Sequence, residues 1–191
     1  MVSSALSRDD ILRLLRALND ELKAAGVKGQ VNLAGGAVMC LAFNARASTR
    51  DVDAVFKPSV AVLNAALKVA AREGVRDTWL NDAVKSYLSD RGTFTPFLDL
   101  SNLKVCCASP EYMLAMKCLA MRIGEGYRDE EDIRYLLRNL GLRKLDDAKE
   151  ILDRYYPTQE YPDTALLALQ EILSGVEHGK ADRSKRGKTE N

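Results

Sequence analysis

Two aspartates, Asp51 and Asp53, stand one residue apart in the apolar stretch DVDAVF. Successive side chains of a β-strand alternate faces, so this spacing puts both carboxylates on one face, with roughly 6–7 Å between their Cα atoms. Two carboxylates held side by side repel unless a cation compensates them. Mg²⁺ (or Mn²⁺) takes hard oxygen ligands and is commonly held by one or two carboxylates together with substrate phosphates. Such a pair can also bridge two ions that clamp the attacking and leaving oxygens of a phosphoryl transfer. A plainer role is open to the same acids: they could face solvent, or pair with Arg46 and Arg50.

A second feature lies upstream. Gly35 and Gly36 end the run QVNLAGG and open the apolar run AVMCLAFNA. Glycines between a strand and a helix let backbone approach a phosphate closely, and the helix start offers free N–H groups. They also serve any tight turn that needs positive φ. A lone glycine pair or a lone D-x-D is weak. Strand, glycine pair, helix and D-x-D strand in succession make a far more specific arrangement.

Much other chemistry is excluded. The one histidine, His178, lies in the polar stretch EHGKADRSKRGKTEN. A nucleophile activated by imidazole, or a zinc site built on histidine, has no residue to use elsewhere. The four cysteines (Cys40, Cys106, Cys107 and Cys118) match no zinc or redox spacing and read as small core residues of a reducing, cytoplasmic protein. With a net charge of +1 there is no global pull toward nucleic acid. The opening MVSSALSRDD lacks a basic segment followed by an apolar one, and no apolar run is long enough to span a bilayer, so neither a secretion signal nor a membrane partner is expected.

The elements that must position these residues follow from periodicity. Residues 7–25 carry a stripe of Ile11, Leu14, Leu15, Leu18 and Leu22, with Ser7 and Asp10 spaced as a capping box and Gly26 as a stop. QVNL and DVDAVF read as strands, AVMCLAFNA as a buried helix, and PSVAVLNAALKVAAREG as a helix that ends at Gly74. WLNDAVKSYLSD reads as a short helix, and Trp79 within it as a core residue, with base stacking the lesser option. TFTPFLDL and LKVCCAS read as strands, the first confined to an edge by Pro96. Helices follow over 110–123, 129–140, 145–155 and 163–174. The expected class is α/β (α+β): an α/β domain over 1–108, a small sheet flanked by helices; a C-terminal helical region over 109–176; and a disordered basic tail over 177–191.

With these residues in place, LAGGAVMCLAFNARASTRDVDAVF resembles the signature of the DNA polymerase β-like nucleotidyltransferase superfamily, and its R-x-S/T-x-D-x-D form is similar to the AbiEii-type minimal nucleotidyltransferases. The matching residues are Gly35, Gly36, Arg46, Ser48, Thr49, Asp51 and Asp53. SPEYMLAMKCLAMRIGEGYRDEEDIRYLL resembles the segment in which a helical lysine and an R-D-x-x-D motif complete the site, through Lys117, Arg122, Arg128, Asp129 and Asp132.

The resemblance implies a nucleotidyltransferase-type mixed sheet. It implies transfer of a nucleoside monophosphate from a nucleoside triphosphate to an RNA (a tRNA end, by family analogy) or protein acceptor. Asp51 and Asp53 would hold Mg²⁺, and Gly35, Gly36, Arg46, Ser48, Thr49, Lys117, Arg122, Asp129 and Asp132 would serve the nucleotide. It also implies a toxin role beside a cognate antitoxin protein. Three departures stand out. Ala37 replaces the Ser or Thr that often follows the glycines, the interval from Gly36 to Asp51 is on the long side, and the third carboxylate, often the base, falls to Asp99, with Asp82 the alternative. Each motif residue also has an ordinary role: Lys117 as a surface lysine packing its stem, Asp129 and Asp132 as acids at a helix start, Asp99 as a turn acid. The alternatives to the enzyme are a catalytically inactive binding module on the same scaffold and, last, a D-x-D glycosyltransferase.

Overall fold

Ser7 and Asp10 cap one another at the start of the first long helix. In this computed structural model, which describes residues 5–121 and 128–186, the Asp10 amide donates to Ser7 Oγ at 3.2 Å and the Ser7 amide donates to Asp10 Oδ2 at 3.0 Å. The helix they open, α1 (Arg8–Ala24), buries the expected stripe: Ile11, Leu14, Leu15, Leu18 and Leu22 are fully enclosed. It packs against α3 (Ser59–Glu73), whose buried side is Val62, Ala65, Ala66 and Val69. The Arg72 guanidinium reaches Glu21 at 2.7 Å, and Arg13 pairs with Glu73, so ion pairs rim the seam.

Beneath these helices lies a mixed sheet. Its strands are β2 (Gly29–Leu33), β4 (Val52–Lys57), β5 (Leu80–Asn81), β6 (Phe94–Asp99) and β7 (Leu103–Ala108), in the order β5-β4-β2-β7-β6. β4 is antiparallel to β2 and parallel to β5; β7 is parallel to β2 and antiparallel to β6. β6 is the edge strand, where the missing N–H of Pro96 is tolerated, and a register shift follows that proline.

The sheet has two unlike faces. Val31, Leu33, Val52, Ala54, Phe56, Leu103 and Val105 are buried on the face that meets α1 and α3. Gln30, Asn32, Asp53, Val55 and Lys57 keep partial or full exposure on the other. This alternation is the period-two signature of strands with one core face.

A short helix, α2 (Gly35–Leu41), follows β2 directly and buries Gly36 through Leu41. Two short strands, β1 (Leu6–Ser7) and β3 (Ser48–Thr49), pair antiparallel, Leu6 with Thr49 and Ser7 with Ser48. They are too short to show periodicity in sequence. WLNDAVKSYLSD is not a single helix: Leu80–Asn81 joins the sheet, and only Ala83–Tyr87 turns, as a 3₁₀ helix. The pull is Trp79, which is 1% exposed and donates its indole N–H to the Ala66 carbonyl at 3.0 Å. With its ring in the core, its backbone is drawn alongside β4, and no face is left for a base to stack on.

The second half is helical: α4 (Pro110–Leu119), α5 (Asp129–Asn139), α6 (Leu145–Tyr155) and α7 (Asp163–Arg186). Tyr112 of α4 is fully buried, stacks on Tyr155 with ring centroids 5.0 Å apart, and accepts the Ser89 amide at 2.9 Å. The α7 backbone is helical through Arg186, past residue 176 where the polar composition marks a tail; Ala, Lys and Arg are themselves strong helix formers. By contact density the chain divides into two units, Met1–Leu88 with Gly92–Ser109, and Ser89–Arg91 with Pro110–Asn191.

Candidate functional site

The turn from β2 into α2 needs a residue in the left-handed region, and Gly35 supplies it at φ +61°. The turn is stitched to the D-x-D strand, since the Ala34 amide donates to the Asp53 carbonyl at 2.9 Å. The consequence is a close approach. A β-carbon at Gly35 would stand 2.7 Å from Asp53 Oδ2. One at Gly36 would collide with the Thr49 hydroxyl and stand 3.2 Å from Arg46 Nη1. Five of the residues singled out in sequence (Gly35, Gly36, Arg46, Thr49 and Asp53) therefore gather at one place. Turn geometry requires the glycine at Gly35, and a side chain at either position would have to displace Asp53 or Thr49.

Around them the burial pattern sets the face. Asp51, Asp53 and Val55 are half-exposed, while Val52 and Ala54 are fully buried. Asp51 precedes the strand proper, which begins at Val52, yet keeps the strand alternation. Val52 is anchored by donating its amide to the Trp79 carbonyl at 2.7 Å. Thr49 is nearly buried in β3, and Ser48 beside it is half-exposed. Arg50 is exposed, and its carbonyl accepts from the Arg76 guanidinium at 2.6 Å. Ala37 is fully enclosed in α2, a core position. The N-cap residue of α2 is Ala34, which has no side chain able to cap the helix.

The third-acid expectation fails for Asp99. It pairs across the sheet with Lys104, which aligns with Gln30, which aligns with Lys57. That row lies four residues along β4 from Asp53, about 13 Å at the rise of a strand. Because β6 runs antiparallel to β7, its start, not its end, lies at the acid-bearing end of the sheet. The residue opposite Asp53 is Asn81, an amide, and Asp82 follows it with its carboxylate paired to Lys85. In sequence, Asn81 is marked only by its place after Trp79 and before Asp82, with nothing that pairs it to Asp53.

In the second unit the structure brings together Lys117, Asp129 and Asp132. Lys117 Nζ lies 2.7 Å from Asp129 Oδ1 and 2.9 Å from Asp132 Oδ2. All three side chains are nearly enclosed, Asp132 at 2% exposure. The surface-lysine role is thereby overturned: the ammonium is a buried clamp between α4 and α5. Asp129 and Asp132 do begin α5, and both also reach Lys117 of α4. Arg128 is exposed and pairs with Glu131 at 3.0 Å. Arg122 lies outside the described residues.

Two buried thiols stand apart from these sites. Desolvation pushes the Cys107 thiol up to about 12, with a smaller push from Cys106, and desolvation alone does the same for Cys118.

Among the described residues no three acid, histidine or cysteine side chains gather into a metal cage. A cation at Asp51 and Asp53 would thus draw its remaining ligands from phosphate and water, which is the usual pattern for Mg²⁺. No helix among the described residues is long and apolar enough to cross a membrane. No family model, curated protein or solved structure matches the chain.

Proposed function

We propose that the acid-bearing end of the sheet is a Mg²⁺-dependent nucleotidyl-transfer site. The observation that carries the reading is the approach of Gly35 and Gly36 to Asp53, Thr49 and Arg46. Glycines let the turn pack directly against Asp53, Thr49 and Arg46, so that the start of α2, a guanidinium and a carboxylate stand together where a metal-bound triphosphate would lie. Mg²⁺ bound there would neutralise the triphosphate and polarise its α-phosphorus. Asp51 and Asp53 would fix the position of that charge from a rigid strand. In the reaction an acceptor hydroxyl oxygen bonds to the α-phosphorus, the bond to the β-phosphate oxygen breaks, and pyrophosphate leaves. The hydroxyl proton passes to a carboxylate at this end of the sheet. Following the resemblance, the acceptor class is RNA or protein and the biological role that of a toxin held by an antitoxin.

One observation favours a second reading, a binding module of the same fold without turnover. Where a third carboxylate would complete the site, Asn81 faces Asp53 and Asp99 is at the far end. Incubating total RNA and the protein itself with each α-labelled triphosphate and Mg²⁺ separates the two. Label transfer that Asp51→Asn and Asp53→Asn abolish supports the enzyme. Triphosphate binding without transfer under any metal supports the module.

A further inference from the structure

The row that displaced Asp99 leads to a second site. Lys57, Gln30, Lys104 and Asp99 are successive cross-strand neighbours on β4, β2, β7 and β6, so their side chains share one face of the sheet. They line a cavity of about 500 Å³ whose rim also carries Lys28 and Ser101. The volume falls in the range of small-molecule pockets. Lys28, Lys57 and Lys104 bring three positive charges and Asp99 brings one negative. Among the described residues none of the three ammonium groups has an ion-pair or hydrogen-bond partner. Asp99 stands directly opposite Lys104 in register, yet the two form no salt bridge.

Three uncompensated cations facing one cavity repel one another, and an anion relieves that repulsion. A phosphate suits it, because lysines bind phosphate as mobile point charges and exposed stems let them converge. Asp99 would repel a bare anion, but as an acceptor it can take a hydroxyl hydrogen bond from a ligand whose phosphate sits on the lysines. We infer that this cavity binds a small phosphorylated, hydroxyl-bearing molecule of the sugar-phosphate or nucleotide class. The site is separate from the acid pair and does not rest on the nucleotidyl-transfer reading.

Calorimetry in EDTA, which removes any metal-dependent binding at Asp51 and Asp53, tests this with inorganic phosphate, ribose 5-phosphate and an unphosphorylated single-stranded RNA oligonucleotide. Ribose 5-phosphate is expected to bind more tightly than phosphate. Its affinity should fall at least ~10-fold in Lys57→Ala/Lys104→Ala, as removal of charge-assisted hydrogen bonds predicts. Asp99→Ala should weaken ribose 5-phosphate and leave phosphate equal or tighter. Asp53→Asn should change neither. All the substituted residues but Asp53 are exposed, so unchanged thermal melting certifies the fold. Absence of ribose 5-phosphate binding in the millimolar range would overturn the inference, as would affinity indifferent to the lysines. Tighter binding of the oligonucleotide than of ribose 5-phosphate would replace the small ligand by a nucleic-acid backbone.

Discussion

Gly35 and the carboxylate of Asp53 approach so closely that a β-carbon on the glycine would lie 2.7 Å from Oδ2. A contact that short is below the van der Waals limit, so the glycine and the acid are coupled: a side chain at Gly35 would have to displace the Asp53 carboxylate or shift the turn. Gly35 also sits at φ +61°. Gly35→Ala is therefore expected to carry two penalties, a backbone cost of roughly 1–2 kcal/mol and displacement of Asp53. Gly74 is the control. Its φ is +66° and a β-carbon added there would meet nothing within 4 Å, so Gly74→Ala carries the backbone cost alone. Urea unfolding of both variants should show Gly35→Ala the more destabilised. Equal losses would mean that the Asp53 contact has no energetic weight.

Lys117 should matter to stability in a particular way. Its ammonium is shared by Asp129 and Asp132 in an enclosed cluster. Lys117→Met removes the ammonium that two enclosed carboxylates share, at a cost of about 3–5 kcal/mol. Neutralising the acids as well, in Lys117→Met/Asp129→Asn/Asp132→Asn, should recover part of that loss, because the two enclosed negative charges are gone. Denaturant curves read both numbers. A loss below ~1 kcal/mol in the single variant, the scale of a surface ion pair, would show that the cluster does not clamp α4 to α5.

The buried thiols set an alkaline limit. Cys107 and Cys118 titrate near 12 in the folded chain, against an ordinary value of 9.0. As pH rises past 9 the unfolded chain loses these protons first, so stability that is fully present below that value declines towards 12. At pH 8 the native thiols should resist iodoacetamide and react only in denaturant, since the thiolate is the nucleophile. Rapid labelling of Cys107 or Cys118 in the native protein would contradict their enclosure.

The unevenness of what sequence revealed has a physical cause. The capping box of Ser7 and Asp10, the α1 stripe and the strand–glycine–helix–strand succession are local patterns, and local spacing sets them. The union of Lys117 with Asp129 and Asp132 is half-visible, because D-x-x-D puts two acids on one helix face, but their partner comes from another helix. The place of Asp99 is not local at all. It depends on β7 running parallel to β2 and β6 returning antiparallel, which carries the end of β6 away from Asp53. Asn81 was hidden for the same reason, since a two-residue strand is set by the core demand of Trp79 rather than by its own sequence.

On the proposed reading, Asp51 and Asp53, backed by Gly35 and Gly36, hold a metal-bound triphosphate. Calorimetric titration with non-hydrolysable nucleoside triphosphates, with Mg²⁺ and with EDTA, tests it most directly. The expected result is binding that requires Mg²⁺ and falls at least ~10-fold, about 1.4 kcal/mol, in Asp51→Asn and in Asp53→Asn, with the thermal melt of each variant retained. Binding that is indifferent to Mg²⁺ and survives both substitutions, or no binding of any triphosphate to the intact chain, would contradict it.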